Sequence, residues 1–274
     1  MRLRFLGTGA AEGWPAVFCR CAPCARAREL GGRNLRSRAS LGVDRTFQFD
    51  FGPDAYHQVL CGHDLSAVQH LIFTHSHHDH LIPDDLDLRR PPFAHGVAGP
   101  LEIWGNERVV GAIARRFRDP AALGLHLHEL RPFAETAVGD ARLVPLLADH
   151  DKAETCLIHL FGRGGRWLLY GHDTGYFPEA TWEHLAAWAA QHRLDVALLD
   201  CTNGPGPGRA NHMGLAAAAE VRARLLQLGA AGPQTRFVTT HFSHNGGLLH
   251  DQLVAAAAPL GLEVAHDGLE VAVG

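Results

Sequence analysis

The chain has 274 residues, 46% of them apolar, with 25 basic against 29 acidic side chains for a formal charge of −4. That much apolar material can bury a substantial core without staples, so one domain spanning residues 1–274 is expected. The acidic balance gives no long-range attraction to nucleic acid or to an anionic membrane, and apolar stretches such as "LAAAAEVRARLL" carry charges and fall short of the ~20 residues a bilayer needs.

In chain order, "RLRFLG" reads as an opening strand with no signal-type apolar segment, which makes a cytoplasmic location the expectation. Cys19, Cys21 and Cys24 follow as C-x-C-x₂-C, half of a cysteine complement too small for a disulfide scaffold. Three thiolates this close suit a closed structural zinc site on a loop over residues 13–28, whose fourth ligand spacing alone does not identify. Cys61, Cys156 and Cys201 lie among apolar residues as small buried hydrophobes. A strand is predicted over 45–52 ("RTFQFDFG"), a helix over 54–61 and a strand over 70–75 ("HLIFTH"). Helices over 106–117, 178–191, 213–228 and 247–256, with a strand at 195–200 ("DVALLD"), continue an α/β alternation. Between 126 and 170, "HLHEL", "ARLVPLL", "TCLIHLF" and "RWLLYGH" read as consecutive strands of an antiparallel meander, which predicts a mixed sheet. "NGPGPGRA" at 203–210 reads as a loop.

The chemistry is densest after the strand "HLIF", where His75, His77, Asp79 and His80 spell H-x-H-x-D-H. A strand running into a loop presents His75 and His77 to one cation, and the following turn brings Asp79 and His80 to a second. Imidazole and carboxylate suit zinc, and also manganese or iron. Two such ions about 3.5–4 Å apart hold a bridging hydroxide and stabilise both the entering and leaving oxygens of a displacement. A surface histidine cluster is the plainer alternative, and the order of the motif after an apolar strand argues against it. His78 matches no ligand position and is read as a bystander.

This motif resembles that of the metallo-β-lactamase superfamily, which implies a four-layer αβ/βα sandwich with two mixed sheets. The resemblance asks for a histidine and an aspartate after later strands and a histidine near the C-terminus; His150, Asp173 and His241 stand in that order. It implies His75, His77 and His150 on one metal, Asp79, His80 and His241 on the other, Asp173 bridging, and Asp50 orienting a ligand histidine. "LGTGAAEGWPAVFCRCAPCARARE" together with H-x-H-x-D-H narrows the likeness to PhnP-type phosphodiesterases. That family implies two divalent catalytic metals (zinc or manganese) and one structural zinc, closed by His244 of "THFSH" on Cys19, Cys21 and Cys24. It also implies His212 as general acid, in a loop where Asn211 would cap the next helix, with Asp79 orienting the hydroxide.

The activity so implied is hydrolysis of a small cyclic phosphodiester, 5-phosphoribosyl 1,2-cyclic phosphate or a 2′,3′-cyclic nucleotide. Expected partners are that substrate and a second copy of the chain as a homodimer, with neither membrane nor nucleic acid. Alternatives are a tRNase Z-like nuclease, a lactone or thioester hydrolase and a noncatalytic PqqB-like relative. His172, where a small residue is expected, and "LIPDDLDLRRPPFAH" at 81–95 depart from the family pattern and leave the substrate open. Arg209 is a candidate phosphate contact, and Trp14 and Phe18 are read as core residues with an apolar cleft wall as the alternative.

Overall fold

A computed structural model describes residues 1–274. The first half of the chain forms β1 (Arg2–Gly7), β2 (Ser40–Val43), β3 (Phe47–Phe49), β4 (His70–Ile72), β5 (Leu101–Gly105) and β6 (Leu125–Glu129). The second half forms β7 (Thr136–Val138), β8 (Ala141–Leu147), β9 (Leu157–Arg163), β10 (Arg166–Gly171), β11 (Leu194–Asp200), β12 (Ala231–Thr240) and β13 (Glu263–Val264), and β14 (Glu270–Ala272) returns to pair with β1. Two seven-stranded sheets result, ordered β14-β1-β2-β3-β4-β5-β6 and β13-β12-β11-β10-β9-β8-β7. Each is mixed. β1 to β3 and β7 to β10 pair antiparallel, whereas β3 to β6 and β10 to β13 pair parallel.

The helices are α1 (Ala22–Leu30), α2 (Ala55–Leu60), α3 (Glu107–Arg116), α4 (Glu179–Trp188), α5 (Leu215–Gln227) and α6 (His250–Ala257). Leu3, Phe5, Phe49, Phe161, Leu168 and Val196 fill the space between the sheets. α2 and α3 cover the outer face of the first sheet through Ala55, Val109 and Ile113, and α1 and α4 to α6 cover the second through Ala27, Trp182, Val221 and Leu253. The result is the expected αβ/βα sandwich of four layers.

Two expectations fail here. "HLHEL" is not part of the meander: β6 pairs parallel with β5, Leu101 opposite Leu125. The connection through α3 carries it back to the first sheet, where its buried Leu125 joins the cluster under α3. α1 was not anticipated. It begins directly after Cys21 with Pro23 in its first turn, the position proline favours, and buries only Cys24 and Ala27.

The strand directions fix where chemistry can occur. β3 and β4 share one direction in their sheet and β8, β10, β11 and β12 share one in the other, and the contacts of His75 and His80 with Asp173 bring both sets of ends to the same rim of the sandwich. Open α/β sheets place their ligand sites at carboxyl ends of this kind.

Candidate metal centre

Each strand end at that rim delivers one or more polar side chains. Asp50 follows β3, the segment His75–His80 follows β4, His150 follows β8, Asp173 follows β10, Asp200 closes β11 and His241 follows β12. Asp50, Asp173 and His241 adopt left-handed backbone conformations (φ 59°, 54° and 63°) that side-chain-bearing residues seldom take. Such outliers concentrate where surrounding structure holds a site in place. The approach of the strand loops is also tight. A Cβ on Gly52 would lie 2.0 Å from the Asp79 carbonyl oxygen, so only glycine lets the β3 loop pass the metal-motif loop.

Two of the groups that the donor atoms form share one member, Asp173. His75, His77, His150 and Asp173 form the first, and Asp79, His80, His241 and Asp173 the second. His75 Nε2 and His80 Nε2 are 3.3 and 2.9 Å from Asp173 Oδ2, His241 Nε2 is 3.6 Å from the same oxygen, and His150 Nε2 is 3.6 Å from Asp173 Oδ1. His80 Nε2 is 3.0 Å from Asp79 Oδ2, and His150 Nε2 is 3.3 Å from His77 Nδ1. Donors bonded at about 2.0–2.2 Å to a common ion are separated by roughly these distances. His75, His80 and His241 Nε2 and Asp173 Oδ1 are buried without a hydrogen-bond partner. Orphaned buried atoms are costly unless something satisfies them, and these converge on one place.

The opposite nitrogen of every histidine is held. His75 Nδ1 meets Thr74 Oγ1 at 3.0 Å, His77 Nε2 meets Asp151 Oδ2 at 3.3 Å and His80 Nδ1 meets Asp50 Oδ2 at 2.9 Å. His150 Nδ1 faces the Asn211 carbonyl at 3.3 Å, and His241 Nδ1 meets Thr202 Oγ1 at 2.8 Å. Metal-binding histidines need this outer contact to fix ring orientation and tautomer. Asp50 also accepts from Tyr170 Oη at 3.2 Å and from Thr74 N at 3.0 Å, which ties the two sheets together beneath the site.

Charge supports the same reading. Asp50, Asp79, Asp173 and Asp200 are all buried, and their charged neighbours are histidines rather than lysine or arginine. Buried carboxylates without a compensating cation are strongly disfavoured. In the metal-free chain the compensation falls to imidazole. Burial, which lowers the pKa of His80, is outweighed by Asp79 and Asp50, and His80 rises well above its usual range. Burial pushes His241 down to about 4. Burial, which raises Asp173, is outweighed by His241, His212 and His80, which hold its carboxyl well below the carboxylate norm. Divalent metal held among these residues would satisfy them together.

Asp200 has a role the sequence reading missed. Its Oδ1 accepts from Met213 N at 2.8 Å and Thr202 N at 3.0 Å, and its Oδ2 accepts from Asp173 N at 3.1 Å and Thr202 Oγ1 at 2.9 Å. Glu154 was missed as well. It accepts from Ser76 N at 3.1 Å and from Asn106 Nδ2 at 2.9 Å, fastening the loop between His75 and His77 to the segment that carries His150.

His212 lies beside the cluster, its Nδ1 3.2 Å from Asp173 Oδ1 and 3.5 Å from Asp200 Oδ2. Burial lowers its pKa, but the contacts with these carboxylates raise it to about 10. Asn211 does not cap the following helix. The cap is Gly214, and Asn211 has a left-handed φ of 64°, so His212 is carried on a loop rather than on a helix end. His212, Asp79 and His241 line a cleft of about 470 Å³. Trp14 is buried, Phe18 is 97% exposed, and neither lines the cleft. His78 is exposed and outside both donor groups. Arg209 pairs with Glu220 and rests over Tyr176. His172 is buried beside the rings of both His80 and His241, its two nitrogens unpartnered and its Nε2 3.5 Å from Asp50 Oδ2.

A second cluster lies on the far side of His241. His244 Nδ1 is 3.3 Å from Cys21 Sγ and 3.8 Å from Cys19 Sγ, and Cys24 completes a group of four donors. All six cysteines are free thiols. Three thiolates and one imidazole within reach of one another are a donor set for structural zinc. Cys21→Ser is expected to lower the thermal midpoint by roughly 6–12 °C, for a loss of about 3 kcal/mol, while the histidine-aspartate donors stay in place. Calorimetry with metal analysis checks this, and full stability without a tightly held zinc contradicts it.

Known proteins show the same arrangement of the chain. Among solved structures, a diphosphatase from the PhnP family shares 23% identity over 100% of this chain and 98% of that one (TM-score 0.74). Zinc-bound PqqB from Methylobacterium extorquens shares 16% over 99% and 100% (0.72), and the short form of human tRNase Z shares 17% over 100% of both (0.64). No curated protein matches the chain. The model of the β-lactamase superfamily domain matches residues 45–242, a span that holds every donor of the histidine-aspartate cluster. Two mixed sheets in an αβ/βα sandwich, with donors gathered at one rim, therefore have a plain family meaning: the chain belongs to the β-lactamase superfamily.

Proposed function

We propose that the protein is a metal-dependent phosphodiesterase acting on small cyclic phosphodiesters, of which 5-phosphoribosyl 1,2-cyclic phosphate and 2′,3′-cyclic nucleotides are the candidates. His75, His77 and His150 would hold one cation and Asp79, His80 and His241 the other, with Asp173 common to both. Two divalent cations there supply charge neutralisation at the phosphoryl oxygens and a water acidic enough to attack near neutral pH. Asp79, which lines the cleft, would orient a water held there.

The observation that carries the reading is His212. It lies within reach of Asp173, Asp200 and His241 but is not among the donors assigned above to either cation, its side chain is 26% exposed, and its Nδ1 is 3.2 Å from Asp173 Oδ1. With Nδ1 turned to the carboxylates, Nε2 is the nitrogen left to protonate a departing alkoxide as the P–O bond breaks. A full donor set favours an enzyme over a noncatalytic PqqB-like role. The net charge of −4 and a cleft without lysine or arginine disfavour a polyanionic RNA substrate.

Removing the labile ions with chelator should abolish hydrolysis of bis(p-nitrophenyl) phosphate and of 2′,3′-cyclic nucleotides, and zinc or manganese should restore it. A reconstituted chain that cleaves a lactone or thioester but no phosphodiester overturns the reading.

A further inference from the structure

The cleft carries a charge pattern that bears on which phosphodiesters it takes, an inference that rests on the reading above. No lysine or arginine lines it, and Arg38, Lys152 and Arg209 are each paired with an acid. Arg38 donates through Nε to the carbonyl of cleft residue Ala11 at 3.1 Å, but its Nη1 is spent on Asp54 at 3.0 Å. Lys152 is 2.6 Å from Asp149 Oδ1, and Arg209 is paired with Glu220.

Apart from the metal donors and His212, which is turned to Asp173 and Asp200, the charged group that faces the cleft is an acid. Glu12 lies in the loop after β1, its Oε1 accepting from Ser243 Oγ and lying 3.7 Å from His244 Nε2. Because His244 Nδ1 faces the thiols, Glu12 is tethered between the cysteine cluster and the turn that follows His241, and has little freedom to withdraw. The remaining wall includes the amides of Asn203, Asn211 and Asn245, the apolar part is limited to Ala10 and Ala11, and no phenylalanine, tyrosine or tryptophan is present to stack a base.

We infer that Glu12 is a specificity-determining residue: the cleft takes phosphodiesters whose single negative charge is at the scissile phosphate and whose adjoining face is rich in hydroxyls, and it discriminates against congeners bearing a second phosphate. Cations held at the floor would meet the scissile group, amides and a carboxylate suit sugar hydroxyls, and a further phosphate beside Glu12 would find no lysine or arginine in the lining to offset it. Of the two candidate substrates this selects the 2′,3′-cyclic nucleotide type over the 5-phosphorylated sugar.

A matched pair tests it: adenosine 2′,3′-cyclic phosphate and the same nucleotide with a 5′-phosphate. In the metal-loaded protein the added phosphate should lower kcat/KM by on the order of 10- to 100-fold, chiefly through KM. Glu12→Gln should shrink that gap to roughly threefold or less, and Glu12→Asp, which keeps the charge, should preserve most of it. Metal content and melting temperature are followed in both variants so that loss of the cysteine-site zinc is recognised. Equal or faster turnover of the 5′-phosphorylated nucleotide, or an undiminished gap in a folded Glu12→Gln, overturns the inference. Bis(p-nitrophenyl) phosphate is assayed alongside. Inactivity on it and on both nucleotides overturns the phosphodiesterase reading instead, and calorimetric binding of the two nucleotides then decides the charge preference, equal affinities counting against it.

Discussion

His212→Ala should retain both labile ions and the tightly held zinc yet lose about 10²–10⁴-fold in kcat on a 2′,3′-cyclic nucleotide, whose leaving group is an alkoxide, with KM nearly unchanged. The size follows from the role. His212 adjoins Asp173, Asp200 and His241 but is not assigned to either cation, each of which keeps its other donors, so its removal should take away a proton donor and leave the cations bound. Its position rests on Asp173 and Asp200, 3.2 and 3.5 Å from Nδ1, and on Thr202 Oγ1 at 3.4 Å. A substrate whose leaving group needs no proton should lose much less, because only the step that makes a basic alkoxide depends on the histidine. Comparing p-nitrophenolate with an alkyl leaving group gives that contrast. Equal rates for wild type and variant on both would remove His212 from the reaction.

Asp200 should produce the second large effect, through stability as well as rate. Asp200→Ala strands the backbone N–H groups of Asp173, Thr202 and Met213, which now end on its carboxylate in a fully buried position. Each unpaired buried donor costs about 1–3 kcal/mol, so a total loss on the order of 3–5 kcal/mol is expected after relaxation. Asp200→Asn keeps one acceptor oxygen and should fold. It removes the charge that Asp200 presents to His212 and His241, 3.5 and 3.6 Å away, and should weaken metal binding or turnover about 10–100-fold, the usual effect of losing an outer carboxylate. Denaturant unfolding and metal titration of the two variants separate the contributions. A stable, fully active Asp200→Ala would show that the β11 terminus does not organise the site.

What could be read in the sequence divides along physical lines. His75, His77, Asp79 and His80 lie within one strand-to-loop transition, so their local order alone suggests two cations. His150, Asp173 and His241 are separated by tens of residues, and nothing in periodicity states that the ends of β8, β10 and β12 meet; only the family likeness selects them. Asp200 and Glu154 accept hydrogen bonds from residues distant in sequence, and their function exists only after folding. Asp200 had a usable signal all the same, since "DVALLD" ends in an acid as "FQFD" does at Asp50. β6 was assigned to the wrong sheet because an alternating pattern records which face of a strand is buried and not which neighbour it has. α1 escaped notice because it buries only Cys24 and Ala27, which leaves almost no apolar periodicity to read.

The most direct test is a crystal structure of the zinc-reconstituted protein with anomalous data at the metal edge. Three ions per chain should appear: two about 3.5–4 Å apart with the Asp173 carboxylate between them, and one among Cys19, Cys21, Cys24 and His244. A single ion in the histidine-aspartate cluster, or an Asp173 side chain turned away from it, would contradict the account.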